Sequence, residues 1–357
     1  MITEEDCKQS KNILIYTGFS STPWNHTTMI QSGLGGAETC VAKLAPLFPK
    51  DYTIYICGGV EEEHNESQVY YVGFNKLHAL LATTPFYATI ISRYIGFLED
   101  YKVSTYKLYV WLHDMNILKY AWNRHIDIHT VLEKWNSKIN NYICLSNWHK
   151  QNTGLLYPEI KDKIKVIPNG IDTAISALKP SAKVPNRFVF TSCPERGYTQ
   201  LFELWNEILK HIPDATLKLA TYISFPRTAE ESKQLEYIKR TPSIEFLGRL
   251  SPADLYTLHT SAEYWLYPTN FLETFCITGM EMLNNQVISF YYPIGALPNT
   301  VGDYGIPLRV GDEIAQILEV VNDEEKKESI RKRGLEYAQG FDWTFIIKYW
   351  NELLELN

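Results

Sequence analysis

Hydrophobic positions along the chain fall in short unbroken runs, not in strict alternation. Runs at 13–17, 53–57, 69–74, 88–92, 107–112, 141–145 and 164–167 are rich in β-branched and aromatic residues. An apolar run without alternation suits a strand buried on both faces. Helix-like stretches at 36–48, 127–138 and 147–156 separate several of them. Strands interleaved with helices predict a parallel, doubly wound α/β sheet.

The pattern then restarts. Strand-like runs recur at 187–192, 216–221, 244–247, 263–267, 287–292 and 305–310, among helix-like stretches at 199–211, 228–240, 252–261, 274–284, 312–321 and 324–339. The segment 173–186 has two prolines and small residues, as a linker between domains should. The expected organisation is a domain over 1–175, a second over 176–340 and a terminal helix over 341–357. In that helix Trp343, Ile346, Ile347, Trp350 and Leu354 recur at helical spacing. Its stripe packs either on its own domain or back on the first.

The length of 357 residues supports two domains, since single cores seldom exceed about 250–300 residues. The net charge of −7 removes a broad basic surface, so nucleic acid is not an expected partner. No apolar run approaches the roughly 20 residues that span a bilayer, so no integral membrane segment is expected. The polar, acidic start is unlike a signal peptide, and the sequons at Asn25 and Asn65 carry no secretory context. Six cysteines lie far apart with no Cys-x-x-Cys pair. Cys57, Cys144 and Cys193 fall in apolar runs, as buried reduced thiols do. These features point to a soluble cytoplasmic protein.

Ligands in such sheets bind beyond the carboxyl ends of the strands, so the chemistry is sought there. After 13–17 the chain reaches Gly33-Leu34-Gly35-Gly36-Ala37-Glu38 at a helix start. Its amides suit a phosphate, and the glycines equally suit a tight helix cap. His113 and Asp114 follow 107–112; a histidine there serves as proton shuttle, hydrogen-bond partner or strand cap. Arg196 precedes a predicted helix, a favourable place for a diphosphate, or for an exposed turn arginine. Glu273 and Glu281 are eight residues apart, the first in a loop, the second about two turns (roughly 12 Å) into a predicted helix. Such a pair can grip two ends of an extended ligand or be solvated acids on a capped helix. His125 and His129 share a helical face, but two histidines without His-Glu-x-x-His are no zinc site, and no metal is expected.

Taken in order, these segments resemble the GT-B-fold retaining glycosyltransferases of the family 4 group. The resemblance rests on Glu273, seven residues, then Glu281. Further support comes from Gly35-Gly36-Ala37-Glu38, Ser146-Asn147-Trp148-His149-Lys150, Ile167-Pro168-Asn169-Gly170-Ile171-Asp172, the loop Ser192 to Gly197, and Phe246-Leu247-Gly248. It covers about 12–356. The resemblance implies two Rossmann-like domains facing across a cleft, the last helix crossing back to the first domain, and transfer of a sugar from a nucleoside-diphosphate donor. The donor is a co-substrate, and no cofactor is implied. Acceptors in the group are glycans, lipid-linked molecules or small molecules. Glu273 and His113 would be catalytic, Glu273 supporting charge at the anomeric centre. Donor-binding residues would be Gly35, Gly36, Ser192, Arg196, Leu247, Gly248, Arg249, Leu250, Thr274, Phe275, Cys276, Ile277, Thr278 and Glu281. Within that set Arg196 neutralises the diphosphate, Glu281 holds the ribose, and Leu247 to Leu250 border the base.

Three positions depart from the group's pattern. Cys276 stands where many relatives carry Gly. The phosphate loop is short, with Arg196 its only clear cation. Pro293-Ile294-Gly295-Ala296-Leu297-Pro298 replaces the usual Gly-Gly-x-x-Glu. A nucleotide-sugar epimerase on the same fold and an inactive sugar-nucleotide-binding protein are the alternative functions. A nicotinamide-dependent oxidoreductase is disfavoured, because no clear adenosine-binding acid follows 53–57. No Asp-x-Asp occurs anywhere in the chain.

Overall fold

The computed structural model describes residues 2–20, 22–64, 68–117, 127–174 and 182–356. His125, Asn65 and much of the expected linker lie outside these residues. The chain divides into two compact units, Met1–Asn169 with Trp343–Asn357, and Gly170–Asp342.

In the first unit the strands are β1 (Asn12–Gly18), β2 (Thr53–Gly58), β3 (Glu63–His64), β4 (Val69–Gly73), β5 (Phe86–Ser92), β6 (Thr105–Trp111), β7 (Asn141–Cys144) and β8 (Ile164–Val166). They form one sheet in the order β3-β4-β2-β1-β5-β6-β7-β8. All neighbours are parallel except β3, which pairs antiparallel with β4. Ile13, Leu14 and Ile15 are fully buried on consecutive positions. Both faces of β1 are therefore covered, which is why its sequence does not alternate.

The helix Trp343–Leu354 belongs to this unit. Trp350 meets Trp111 edge-on at 4.9 Å between ring centroids. Lys107 Nζ donates to the Leu354 carbonyl at 3.1 Å, and Tyr109 donates to that of Leu353 at 3.1 Å. The helix end thus has its terminal carbonyls capped by side chains from β6.

Several elements of this unit are absent from the hydrophobic pattern, among them three helices. Glu4–Gln9 forms a helix with a Thr3–Asp6 capping box and buries Cys7. His26–Ser32 is a helix inside the expected loop, and its cap is Asn25, whose side chain accepts from Thr28 N at 2.9 Å. Phe74–Thr83 is a helix that starts directly where β4 ends. The expected helix 36–48 is α-helical only over Gly36–Leu44, then tightens to a 3-10 turn over Ala45–Leu47, where Pro46 removes an amide donor.

In the second unit the strands are β9 (Arg187–Phe190), β10 (Thr216–Ala220), β11 (Ile244–Gly248), β12 (Tyr264–Tyr267), β13 (Ile288–Tyr291) and β14 (Ile306–Pro307). The order is β11-β10-β9-β12-β13-β14, all parallel. The run expected at 305–310 shrinks to two residues at the sheet margin. The helix expected over 274–284 begins at Ile277. All six cysteines are free and buried.

Candidate active site

The order of the second sheet reverses between β9 and β12: from β9 the chain proceeds outward to β10 and β11, then returns to β12. Such a switch point is where open α/β sheets hold ligands, beyond the strands' carboxyl ends. Two of the sequence candidates, Arg196 and Glu273, meet there.

Arg196 closes a 3-10 turn, Pro194–Arg196, just after β9 and just before the helix Tyr198–His211. Gly197 lets this turn lie close to the next loop. It has φ +148, and a Cβ on it would sit 3.0 Å from the Pro268 carbonyl oxygen. The Arg196 guanidinium donates to Glu273 Oε1 and stands 4.0 Å from the centroid of the Phe271 ring. Burial works against its charge, but Glu273 and its neighbours outweigh this and hold Arg196 above its ordinary pKa. The ion-paired cation is the permanent positive charge of the loop.

Glu273 is 7% exposed. Besides Arg196, its Oε1 accepts the Tyr267 phenol at 2.6 Å. Its backbone is held on both sides: Glu273 N donates to Phe271 O at 3.0 Å, and Ala296 N donates to Glu273 O at 2.8 Å. Gly295, at φ +57, packs so tightly that a Cβ would fall 2.8 Å from both Glu273 N and Glu273 O. The loop after β13 therefore buttresses Glu273 directly. This is what Pro293 to Pro298 does in place of the expected glycine pair.

The late helix start corrects the geometry expected for the two glutamates. Thr274 and Phe275 are loop residues and Cys276 is the cap, in a left-handed conformation at φ +74. A left-handed non-glycine residue is a strained position. It accounts for the glycine that Cys276 replaces: the backbone here favours one, and this chain keeps the conformation with a side chain. The thiol is pushed well up by burial. Ile277 and Thr278 are the first residues of the helix and are half-buried. Glu281 is the fifth helical residue, about 6 Å along the axis from Ile277 rather than two turns in. It too is half-buried.

Ser192 follows β9 and is half-buried. Leu247 and Gly248 end the edge strand β11, followed by exposed Arg249 and half-buried Leu250. Gly248 has φ +64, and its carbonyl accepts from Thr221 N at 3.0 Å. These residues share the carboxyl rim with Arg196, with β10 intervening. Tyr222, after β10, went unremarked in the sequence. It lies within hydrogen-bonding reach of Cys193 and close enough to Arg196 to affect its charge.

The first sheet reverses its order between β1 and β5. Gly35 caps the helix Gly36–Leu44 after the β1 loop. The Glu38 carboxylate folds back over that terminus: a Cβ on Gly35 would lie 2.5 Å from Glu38 Oε2. Arg93, immediately after β5, holds it, with Nη1 donating to Glu38 Oε1 at 3.3 Å and Nε 3.4 Å from Asp114 Oδ2. Arg93 itself is left-handed at φ +81. Sequence reasoning missed it, although it stands at a strand's carboxyl end, the same signal that singled out His113. His113 is 8% exposed, and its ring lies 4.6 Å from that of Trp111. Burial, then Arg93 and His149, push its pKa well below the usual value, so the imidazole is neutral at pH 7. His149 is buried and fixed by Leu145 N, which donates to Nδ1 at 3.2 Å.

His129 pairs with Glu159. Among the described residues no three His, Cys, Asp or Glu side chains gather as a metal site requires. No helix among them is long and apolar enough to cross a membrane.

Two sheets with this topology define the GT-B fold, and comparison with solved structures agrees. The chain superposes on a glycosyltransferase from Rickettsia africae with a TM-score of 0.73, at 15% identity, covering 98% of this chain and 100% of that one. It superposes on HepE from Anabaena, in complex with UDP and glucose, with a TM-score of 0.64, at 15% identity, covering 96% and 99%. Among curated proteins, it is 22% identical over 220 residues to a phosphatidylinositol N-acetylglucosaminyltransferase subunit of Arabidopsis thaliana, covering 58% of this chain and 48% of the relative. It is 32% identical over 103 residues to the O-antigen chain mannosyltransferase B of Escherichia coli, covering 28% and 27%. The chain thus matches about half and about a quarter of the length of these two relatives. No protein-family profile matches it. In both sequence and fold the chain resembles GT-B glycosyltransferases.

Proposed function

We propose that the chain transfers a sugar from a nucleoside-diphosphate sugar to an acceptor hydroxyl, with retention of anomeric configuration and without a metal ion. The observation that carries this reading is the Arg196–Glu273 pair at the switch point of the second sheet. It sets a cation and a buttressed carboxylate side by side, matching a substrate that develops negative charge on its leaving diphosphate and positive charge on its sugar. The relatives' names, and the UDP and glucose held by HepE, support a sugar-nucleotide donor.

In the proposed reaction the bond from the anomeric carbon to the diphosphate oxygen breaks. The acceptor oxygen bonds to the same face of that carbon, and the acceptor's proton passes to the departing diphosphate. Arg196 offsets charge on the diphosphate, with the amides of Thr274 to Cys276 as further donors. Glu273 Oε2, which carries neither of the two side-chain bonds that end on Oε1, accepts from the sugar. Glu281 holds the ribose. His113, at the carboxyl end of β6 in the first unit, serves as a neutral hydrogen-bond partner, not as a cation.

The test is incubation with a panel of UDP- and GDP-linked sugars and with glycan, lipid-linked and small acceptors. Product anomers are read by NMR, in excess EDTA and after adding back magnesium or manganese. Transfer with retention in EDTA, slowed severely in Arg196→Ala, is expected. Inversion, or activity lost in EDTA and restored by metal, overturns the corresponding part of the proposal. Conversion of the donor sugar without any acceptor would indicate an epimerase.

A further inference from the structure

Arg196 has Glu273 as its counter-ion, so a ligand phosphate that pairs with Arg196 competes with that carboxylate. The two partners are anchored unequally. Glu273 is clamped through its backbone by Ala296 and Gly295, and its side chain is 9% exposed. Arg196 is 26% exposed at its side chain, ends a single 3-10 turn, and lies against the face of Phe271, which can carry the guanidinium after it turns away. In an exchange of partners the arginine moves and the glutamate stays. A glutamate left behind in a buried site needs another donor.

We infer that Tyr267 is that donor: a positioning residue that holds Glu273 in place while Arg196 exchanges the carboxylate for a ligand phosphate. Its phenol donates to Glu273 Oε1 at 2.6 Å, the same oxygen that takes Arg196. Tyr267 is the last residue of β12, 1% exposed, and its ring stacks on Trp265 at 4.6 Å between centroids and 16° between planes. The phenol cannot swing out, and burial keeps it protonated as a donor. With Oε1 occupied by Tyr267, Oε2 keeps its direction after Arg196 leaves. The inference rests on the reading of Arg196 as the phosphate-binding group.

The experiment titrates inorganic pyrophosphate into the full chain by calorimetry at constant ionic strength. Removing the competing carboxylate in Glu273→Ala should tighten binding by about tenfold. Glu273→Gln, included in case the alanine variant does not fold, should shift the same way. Tyr267→Phe keeps the ring and removes the catch, so binding should weaken by about three- to tenfold. The same change in the Glu273→Ala background should have no effect, because nothing remains to be held. A merely structural tyrosine would act equally in both backgrounds. Equal affinities in wild type and the Glu273 variants, or an undiminished effect of Tyr267→Phe in Glu273→Ala, overturn the inference while leaving the transfer reading intact. Absence of pyrophosphate binding in every variant overturns the inference together with the role of Arg196.

Discussion

Glu281 lies one turn into the helix Ile277–Asn284, while Glu273 is fixed in the loop before it. A carboxylate that bonds ribose hydroxyls contributes charge-assisted hydrogen bonds. Glu281→Ala should therefore weaken nucleoside-diphosphate binding by roughly 10–150-fold, for a loss of about 1.5–3 kcal/mol. Calorimetric titration with UDP and GDP checks this, and wild-type affinity would remove Glu281 from the site. Gly295 makes a different kind of contribution. Its φ of +57 and its contact with the Glu273 backbone leave no room for a methyl group. Gly295→Ala should cost about 1–2 kcal/mol through the left-handed backbone alone. It should also lower turnover at least about tenfold by displacing Glu273, since misplacement near 1 Å is that costly. Denaturant titration and steady-state rates on the same preparation separate the two effects. Unchanged turnover would show that the loop after β13 does not support Glu273.

At the scale of elements, the helix Trp343–Leu354 returns its aromatic stripe to the first unit. Trp343, Ile346, Ile347, Trp350 and Leu354 are all buried, while Phe345 and Tyr349 on the other face are exposed. Helical spacing makes the stripe legible in the sequence, but not its destination. That was decided by Trp111, Lys107 and Tyr109 on β6, more than 230 residues earlier in the chain. Trp350→Ala should cost about 3–5 kcal/mol, the usual range for a deleted buried aromatic. Chemical denaturation followed by circular dichroism measures it; a loss below about 1 kcal/mol would mean the helix is not part of that core. The short helices Glu4–Gln9 and His26–Ser32 illustrate the opposite case. Each buries a single residue, Cys7 or Met29, so neither writes a periodic stripe into the sequence. Their caps at Thr3 and Asn25 were the only local signals.

For the molecule as a whole, three buried histidines make stability depend on pH. His149 is pushed down to about 4 and His259 to about 3, both chiefly by burial, and His113 is well below its usual value for the same reason. The unfolded chain takes up protons on these rings near pH 6.5, while the folded chain does not. Their contribution is therefore fully present above about pH 6.5 and is lost as pH falls towards the native values. His149 and His259 each then cost about 1.4 kcal/mol per pH unit, or about 2 kcal/mol by pH 5, and His113 acts in the same direction. Denaturant midpoints at pH 7 and pH 5 should differ accordingly, and His259→Gln should reduce the difference by the share of one ring. A midpoint independent of pH in this window would contradict the burial of these rings.

Parallel strands were legible because burial on both faces writes uninterrupted β-branched and aromatic runs, and the carboxyl-end rule then led to Arg196, His113 and Glu273. Those are properties of local sequence, since each run and each flanking residue lies within one segment. Tertiary structure alone decided that Arg196 and Glu273 are partners, because 77 residues separate them and only the reversal of strand order at β9 and β12 brings their loops together. It likewise decided the roles of Tyr267, Gly295 and Arg93. A tyrosine in an apolar run, a glycine in a proline-flanked turn and an arginine after a strand are each ordinary in one dimension. What distinguishes them is the neighbour the folded loops supply: a carboxylate for the phenol, a backbone that leaves no room for a Cβ on the glycine, and two acids from other segments for the guanidinium.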